Sequence, residues 1–414
     1  MVTFLCATAV SAQPPTPTER VTFDEAIARA TSRNPSAAIA AAGILRAEAL
    51  LAQARSSAGL QINGNVTSTT LNRSVAFEGT TVTPRSSVTG TLDLRYPLYA
   101  PAVWARRVEA QDSVEVAGLS ASETRRQTAL ATADSYLAII ARRRVIDSSV
   151  RARDAAQAHV DLASELEQRG SGSRLNRVRA QQELSVDDGL IESARLLLYR
   201  AQEALGVLLA ADGPVDAADD PNFDTPLAAG DVPQMISNRA DLRLFAAEER
   251  SADRVLADNR KSYLPVFEGI FQPQSTYPAQ FFVPSNTWRV LLQLDIPIFD
   301  SGYKSAEARS RQSAVDVARA TRVGATTSAT SEVRMAREAI ASADRELVTR
   351  RAAAAQAQEV VDIVNISFRA GASTNIEVID AERRARDADL EVVLTEDALR
   401  RARLDLRTAL GLFP

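Results

Sequence analysis

A long unit written twice is the feature that most limits how this chain can fold. Short polar breaks occur at residues 169–173 and 369–375, and each lies between two long runs rich in Ala, Arg and Glu. After the breaks, the apolar positions and an Ala coincide when residues 175–181 are aligned with 376–382. Self-similarity over such a distance predicts two copies of one structural unit.

Two further anchors support the repeat and occur in the same order in both copies. Residues 92–99 align with residues 292–299, with a Pro at the same place in each. The ends of the two units, residues 204–208 and 409–413, also agree. Three anchors in one order exclude chance as a reasonable explanation.

The repeat predicts a domain organisation. In chain order, its divisions are a signal remnant with a disordered N-terminus (1–20), repeat 1 (21–210), a linker (211–230) and repeat 2 (231–414). Each repeat opens with a helix, followed by a hairpin, a long helix and a return helix. In repeat 1 the last three are predicted at about 60–99, 101–169 and 173–209; in repeat 2 they are predicted at about 264–299, 301–369 and 374–412.

Composition narrows the class of protein. The aromatic content of 5% is low for several compact cores in a chain of 414 residues. The formal net charge of −4 offers no electrostatic basis for binding nucleic acid. Cys6 is the single cysteine, so a disulfide framework and a thiol metal site are excluded. Ala-rich sequence with many Arg and Glu residues favours long, closely packed helices.

The first residues have the features of an export signal. Residues 1–12 are apolar and end in small residues, before the Pro-rich stretch 13–17, but the usual basic start is missing. The alternatives are a disordered N-terminus and lipidation at Cys6. No later run of 18 or more apolar residues is present, so we predict no transmembrane helix. Any entry into a membrane would have to use strands.

Each repeat contains one strand with alternating apolar and polar residues. The alternation runs over residues 88–98 in repeat 1 and 288–298 in repeat 2. Each has a less regular partner upstream, which predicts one hairpin per repeat with strands about 10 to 12 residues long, the length of a tilted membrane strand. A small soluble sheet is the alternative. Four strands cannot close a barrel, so membrane strands would require several copies of the chain.

The longest predicted elements follow the hairpins. Pro101 is well placed in a first helical turn, and a run to residue 169 would span about 100 Å. Apolar residues at coiled-coil spacing lie along it: Leu130, Ala133, Leu137 and Ile140. The return helices are about half as long, so each repeat predicts a rod with a hairpin at one end and a tight turn at the other.

These features together resemble the TolC-type outer membrane factors. The resemblance covers about residues 21–413 and rests on the duplicated order of elements, the Pro-bearing strand ends 96–99 and 296–302, and the turn motif 371–381. It implies a mainly α fold with a β-barrel part: a trimer with a coiled-coil α-barrel in the periplasm and a 12-stranded transmembrane β-barrel in the outer membrane.

The resemblance also implies a function and partners. Members of this family are passive exit ducts of tripartite efflux pumps and type I secretion systems, for small molecules or proteins. The expected partners are two further copies of the chain, a periplasmic adaptor, an inner-membrane transporter and outer-membrane lipid. The exported cargo and the class of transporter are beyond what these residues predict.

By the family's motif, acidic residues at the periplasmic entrance fall on Glu377 and Asp380. Three copies would then place six carboxylates in a ring that favours cations; the alternative is two ordinary surface acids. Repeat 1 has Asn176 and Arg179 at the equivalent positions, and Arg174, Asn176 or Arg179 could link the repeats at the gate. The adaptor-contacting turns would contain Gly170, Ser171, Gly172, Gly371, Ala372 and Ser373.

Catalysis has little support. His159 is the single histidine and is predicted to be solvated on a long helix. No nucleophile elbow, P-loop, zinc-protease or paired-cysteine motif is present, and we expect no cofactor or metal. Asp187 and Asp188 are interpreted as helix surface, and the acid-rich segment 216–221 as linker. A second, different hypothesis is a soluble or peripheral coiled-coil scaffold whose hairpins are docking points.

Overall fold

The computed structural model describes residues 18–224, 232–282 and 284–413. The predicted export signal therefore lies outside the described residues, as does part of the predicted linker. Helices predominate and strands form the remainder, which confirms the predicted fold class of mainly α with a β part.

The helices occur in the order that the repeat predicts. In chain order they are α1 (Phe23–Arg33), α2 (Pro35–Ser57), α3 (Pro101–Gln168), α4 (Arg174–Leu208), α5 (Val232–Ser237), α6 (Ala240–Asp258), α7 (Tyr303–Arg369) and α8 (Asn375–Ala409), with a 3₁₀ turn at Asn259–Tyr263. The long helices α3 and α7 have 68 and 67 residues, and the return helices α4 and α8 have 35 each.

The strands form one four-stranded sheet and two small pairs. In chain order they are β1 (Glu19–Val21), β2 (Gln61–Thr70), β3 (Val75–Phe77), β4 (Thr80–Thr83), β5 (Ser86–Tyr99), β6 (Val215–Ala217), β7 (Val266–Tyr277) and β8 (Asn286–Asp295). The large sheet is antiparallel throughout, in the order β2-β5-β7-β8. It joins the hairpin of repeat 1 to the hairpin of repeat 2 through β5 and β7.

The chain divides into two compact units, and each takes segments from both repeats. The unit that we call the sheet unit comprises residues 38–124 and 233–329 and contains the four-stranded sheet. The tip unit contains residues 125–224 and the described residues from 330 onward, with the N-terminal helix α1. The predicted division at residues 211–230 is a boundary between the repeats in sequence, and each unit combines segments from both repeats.

A buried aromatic and polar cluster organises the tip unit. Tyr136 on α3 is fully buried, and its ring meets that of Phe23 edge-on at 5.4 Å. Its hydroxyl donates to the Asp219 carboxylate and lies 3.0 Å from the Val21 carbonyl oxygen. Burial, followed by the bond to Asp219, raises the pKa of Tyr136 to about 12, so the hydroxyl keeps its proton at neutral pH.

Part of the segment interpreted as a linker belongs to this core. Strand β6 is buried and pairs in parallel with β1. Asp216 is buried and forms an ion pair with Arg143 on α3, whose Nη2 also donates to the Ala217 carbonyl at 2.7 Å. Residues 216 and 217 are therefore core rather than exposed linker, because strand pairing and the ion pair with Arg143 hold them there, whereas residues 218–220 are exposed.

One helix among the described residues is long and apolar enough to cross a membrane on length and composition. That helix is α2, which the sequence analysis did not single out as a span. Arg46 and Glu48 lie near its middle. A single helix of this kind is weak evidence for a span, since core helices and signal sequences meet the same criterion.

Candidate functional site

The four-stranded sheet has one apolar face. Ile62, Leu94, Phe271 and Val290 are register partners across the four strands, so their side chains share a face. Val290 retains 61% of its accessible surface and Ile62 retains 59%. Other exposed apolar residues on this face are Val66, Leu92, Trp288, Leu292 and Leu294. Within a single chain, this apolar face is uncovered.

The opposite face of the sheet carries a polar row. The Gln272 side chain donates to the Asp93 carboxylate and accepts from the Arg289 guanidinium, which links β5, β7 and β8. These residues neighbour Leu94, Phe271 and Val290 in sequence, so the pleat sends them to the other side. The sheet therefore has one apolar face and one face with a polar row.

Two of the strands leave their outer edges open. In the described residues, β2 and β8 are the outermost strands of the sheet, and each pairs on one side only. Unpaired backbone N–H and C=O groups cannot be accommodated in hydrocarbon. A membrane role therefore requires that these edges pair with strands of other chains.

The two tight turns in the tip unit have the same backbone design. Gly170 follows α3 with φ of 74°, and Gly371 follows α7 with φ of 75°. The Ser171 amide then donates to the Leu166 carbonyl at 3.0 Å, and the Ala372 amide donates to the Ser367 carbonyl at 2.8 Å. Glycine suits both positions because an L side chain is strained at positive φ.

Polar caps begin the return helices after these turns. The Ser173 hydroxyl accepts from the Asn176 amide, and the Thr374 hydroxyl accepts from the Glu377 amide at 3.4 Å. The Glu377 carboxylate in turn accepts from the Thr374 amide at 2.7 Å, which completes a capping box. Glu377 thus has a structural task in the single chain and is also exposed.

The second predicted gate residue is also engaged within α8. Asp380 pairs with Arg384 at 3.0 Å, and its side chain is 56% exposed. Glu377 and Asp380 lie three residues apart on one helix face. Among the described residues of one chain, neither Arg174 nor Arg179 forms an ion pair with either carboxylate, so that pairing stays a prediction.

A different link joins the helix ends at the turns. His159 on α3 is buried, and its Nε2 lies 2.9 Å from Oδ1 of Asn375 at the start of α8. The side-chain Nδ2 of Asn375 donates to the Asn176 carbonyl on α4 at 3.4 Å, and the His159 ring packs on Phe368 of α7. The prediction that His159 is solvated is wrong, because three neighbouring helices cover it. Burial lowers the pKa of His159.

A buried charge cluster lies further along the return helices. Glu183 accepts from Nε of Arg383 at 2.8 Å and from Arg386 at 3.0 Å. Arg386 also donates to Asp187 at 2.6 Å. The Glu183 and Asp187 side chains are only 4% and 5% exposed. The interpretation of Asp187 as helix surface is therefore wrong: α8 covers it and supplies its counter-ion.

The two carboxylates of this cluster respond differently to burial. Burial opposes ionisation of Glu183, but hydrogen bonds from Arg383 and Arg386 outweigh it and hold its pKa below the ordinary value. Asp187 has only a share of Arg386, so burial raises its pKa. The sequence contains a signal for this cluster. Two acids, Glu183 and Asp187, lie four residues apart on α4, and two arginines lie three residues apart on α8.

Within the described residues, no group of three or more His, Cys, Asp or Glu side chains is arranged to hold a metal ion. The candidate functional features of the described residues are an open sheet with two different faces, two capped turns and polar links between the repeats.

A family model matches the carboxyl-terminal repeat of the chain. Residues 232–412 match the family model described as "Outer membrane efflux protein". The chain is also 26% identical over 238 residues to the outer membrane protein OprJ of Pseudomonas aeruginosa, a match that covers 54% of this chain and 50% of that protein. The match thus spans about half the length of this curated relative.

Solved structures share the fold over nearly the whole chain. CusC, whose structures are described in terms of folding and transmembrane channel formation, superposes with a TM-score of 0.85 at 17% identity, covering 97% of this chain and 95% of that chain. VceC of Vibrio cholerae gives 0.80 at 16% identity, covering 94% and 96%. A membrane protein of Pseudomonas aeruginosa gives 0.84 at 19% identity, covering 99% and 96%.

Proposed function

We infer that the chain belongs to the outer membrane efflux protein family, because residues 232–412 match that family's model and nearly the whole chain shares the fold of a solved outer membrane protein. On that premise we propose that the protein is the exit duct of a tripartite efflux pump or type I secretion system. It forms a homotrimer, with its sheets in the outer membrane and its helical barrel in the periplasm. The exported material consists of small molecules or proteins.

The observation that carries this proposal is the two-faced sheet with open edges. The apolar face suits lipid, and the Asp93–Gln272–Arg289 row suits a water-filled interior. Three copies of a four-stranded sheet supply twelve strands, and closing them end to end pairs β2 of each chain with β8 of its neighbour. A closed barrel removes the open edges that hydrocarbon does not tolerate.

Transport through this duct is passive. The family is one of channels rather than enzymes, so the energy comes from an inner-membrane transporter. A periplasmic adaptor joins the two, and it docks on the turns that follow α3 and α7. The residues there are Gly170, Ser171, Gly172, Gly371, Ala372 and Ser373.

The entrance to the duct lies at the start of α8. Glu377 and Asp380 are both exposed there and share one helix face. In a trimer they form a ring of six carboxylates, which attracts cations and repels anions. Arg174, Asn176 and Arg179 at the start of α4 are the neighbouring polar groups that would link adjacent repeats across this entrance.

The test is single-channel conductance of the purified protein in planar bilayers, with crosslinking to count subunits. We expect discrete conductance steps from a trimer. The absence of both conductance and membrane partition would overturn the duct and favour the scaffold hypothesis.

Charge-neutral variants then test the entrance. Glu377→Gln keeps a capping-box acceptor and removes the charge, and Asp380→Asn is its partner in a double variant. We expect the double variant to lose cation selectivity and divalent-cation block. Glu391→Gln, a half-exposed acid elsewhere on α8, is the matched control. Unchanged selectivity in the double variant would show that these acids do not line the constriction.

A further inference from the structure

A cavity of about 290 Å³ lies in the tip unit between α3, α4, α7 and α8. The charged groups that face it come from three of these helices. They are Arg151 on α3, Glu183 and Asp187 on α4, and Glu382, Arg383, Arg386 and Asp389 on α8. From α7 the lining is uncharged, with the amide of Gln358 as its polar group.

Most of these charges are already paired. Arg151 donates to Asp389 at 2.7 Å, and Ser148 donates to the same carboxylate oxygen at 2.6 Å. The two arginines Arg383 and Arg386 balance the two carboxylates Glu183 and Asp187. We call this second set of four residues the clasp, since it joins α4 of repeat 1 to α8 of repeat 2.

Glu382 is the remaining ionisable group of the cavity and has no counter-ion among the described residues. Its Oε2 atom is buried and has no hydrogen-bond partner among the described residues. Burial, with repulsion from Glu183 and Asp187, raises the pKa of Glu382 to about 7. Ionisation of Glu382 would therefore add an unbalanced negative charge beside Glu183 and Asp187. The nearby arginines, Arg383 and Arg386, already serve as counter-ions to those two carboxylates.

We propose that Glu382 is a proton-operated switch beside the clasp: the clasp holds α8 firmly against α4 while Glu382 carries its proton, and it loosens when that proton leaves for solvent. The clasp lies within about the first four turns of α4 and α8. Its loosening frees the first turns of both helices, and these turns carry the polar groups that follow the tight turns.

The direction of the pH effect follows from proton linkage. The pKa of Glu382 is raised when the clasp is closed, so its stabilising contribution is complete below the ordinary value of 4.5 and is lost as the pH rises through about 7. With 4.5 for the opened state, the equilibrium constant for opening rises about 30-fold between pH 5.5 and pH 8.5.

The experiment is amide hydrogen exchange of the purified full-length protein, measured by mass spectrometry from pH 5.5 to 8.5 and corrected for the intrinsic pH dependence of exchange. We expect peptides from residues 180–190 and 380–390, which leave out the amides next to Asn176 and Asn375, to open about 30-fold more at the upper limit. Glu382→Gln, which cannot ionise, should show a flat profile. Glu391→Gln, the half-exposed control on α8, should keep the profile of the unmodified chain.

A second variant tests the cause of the effect. Asp187→Asn removes one of the repelling charges, so the midpoint of the transition should move to lower pH. A flat profile in the unmodified chain, or the same rise in Glu382→Gln, would overturn the proposal. The measurement needs no transport, so its failure is distinguishable from failure of the exit-duct function.

Discussion

Replacing Tyr136 with Phe removes one hydroxyl from the core of the tip unit without opening a cavity. The hydroxyl donates to the Asp219 carboxylate and accepts from the amides of Ala218 and Asp219 at 3.1 and 3.2 Å. The Ala218 amide keeps a second partner, the Val21 carbonyl at 2.8 Å. The Asp219 amide and carboxylate therefore bear the loss.

The magnitude follows from these contacts. A hydrogen bond to a charged group contributes about 2 kcal/mol, and a partly buried amide left without an acceptor costs about 1 kcal/mol. The carboxylate still accepts from the Phe23 amide at 2.9 Å, so it stays ionised. The sum of about 3 kcal/mol corresponds to about a 150-fold rise in local opening.

The assay is hydrogen exchange of peptides that cover β1, β6 and the middle of α3. It is made at neutral pH, because Tyr136 and the phenylalanine that replaces it are then both uncharged and differ only by the hydroxyl group. Tyr199→Phe is the control, because the Tyr199 hydroxyl bonds Glu203 at 2.6 Å on the exposed surface. A surface bond of this kind contributes little. A rise of less than about 5-fold for Tyr136→Phe, or one equal to that of the control, would refute this account of the core.

Two further predictions concern the turns and the end of α4. Burial lowers the pKa of His159, so its contribution to stability is present above the ordinary value of 6.5 and is lost as the pH falls below it. Amides near Asn375 should therefore lose protection from exchange on acidification from about pH 7 to about pH 5. A His159→Gln variant that responds equally would contradict this. A Cβ on Gly206 would clash with the Gly213 carbonyl, so Gly206→Ala should lower the melting temperature measured by circular dichroism. Gly189 has open space around its Cβ position, and Gly189→Ala should stabilise α4 by about 1 kcal/mol or less; equal effects of the two variants would show that the close approach at Gly206 is unimportant.

The regular elements could be read from the sequence because their signals are local. Alternation over residues 88–98 and 288–298 marks β5 and β8, and Gly170 and Gly371 mark the turns because only glycine is unstrained there. Even so, β8 ends at Asp295, before Pro297, whereas β5 continues past its Pro to Tyr99 with a shift in register. The residues are alike in the two repeats, so only strand pairing decides where each strand ends.

The sequence by itself determined the twofold repeat, the order of elements in each copy and the family resemblance, since periodicity and turn residues act over a few positions. The tertiary structure alone decided which polar residues are buried. His159, Asp187 and Asp216 look like surface residues in sequence, yet each lies beneath a helix or strand distant in the chain. Glu382 depends on this most, because its raised pKa arises from its burial and from Glu183 and Asp187, about two hundred residues away. Burial and ion pairing are properties of packed neighbours, and no local pattern contains them.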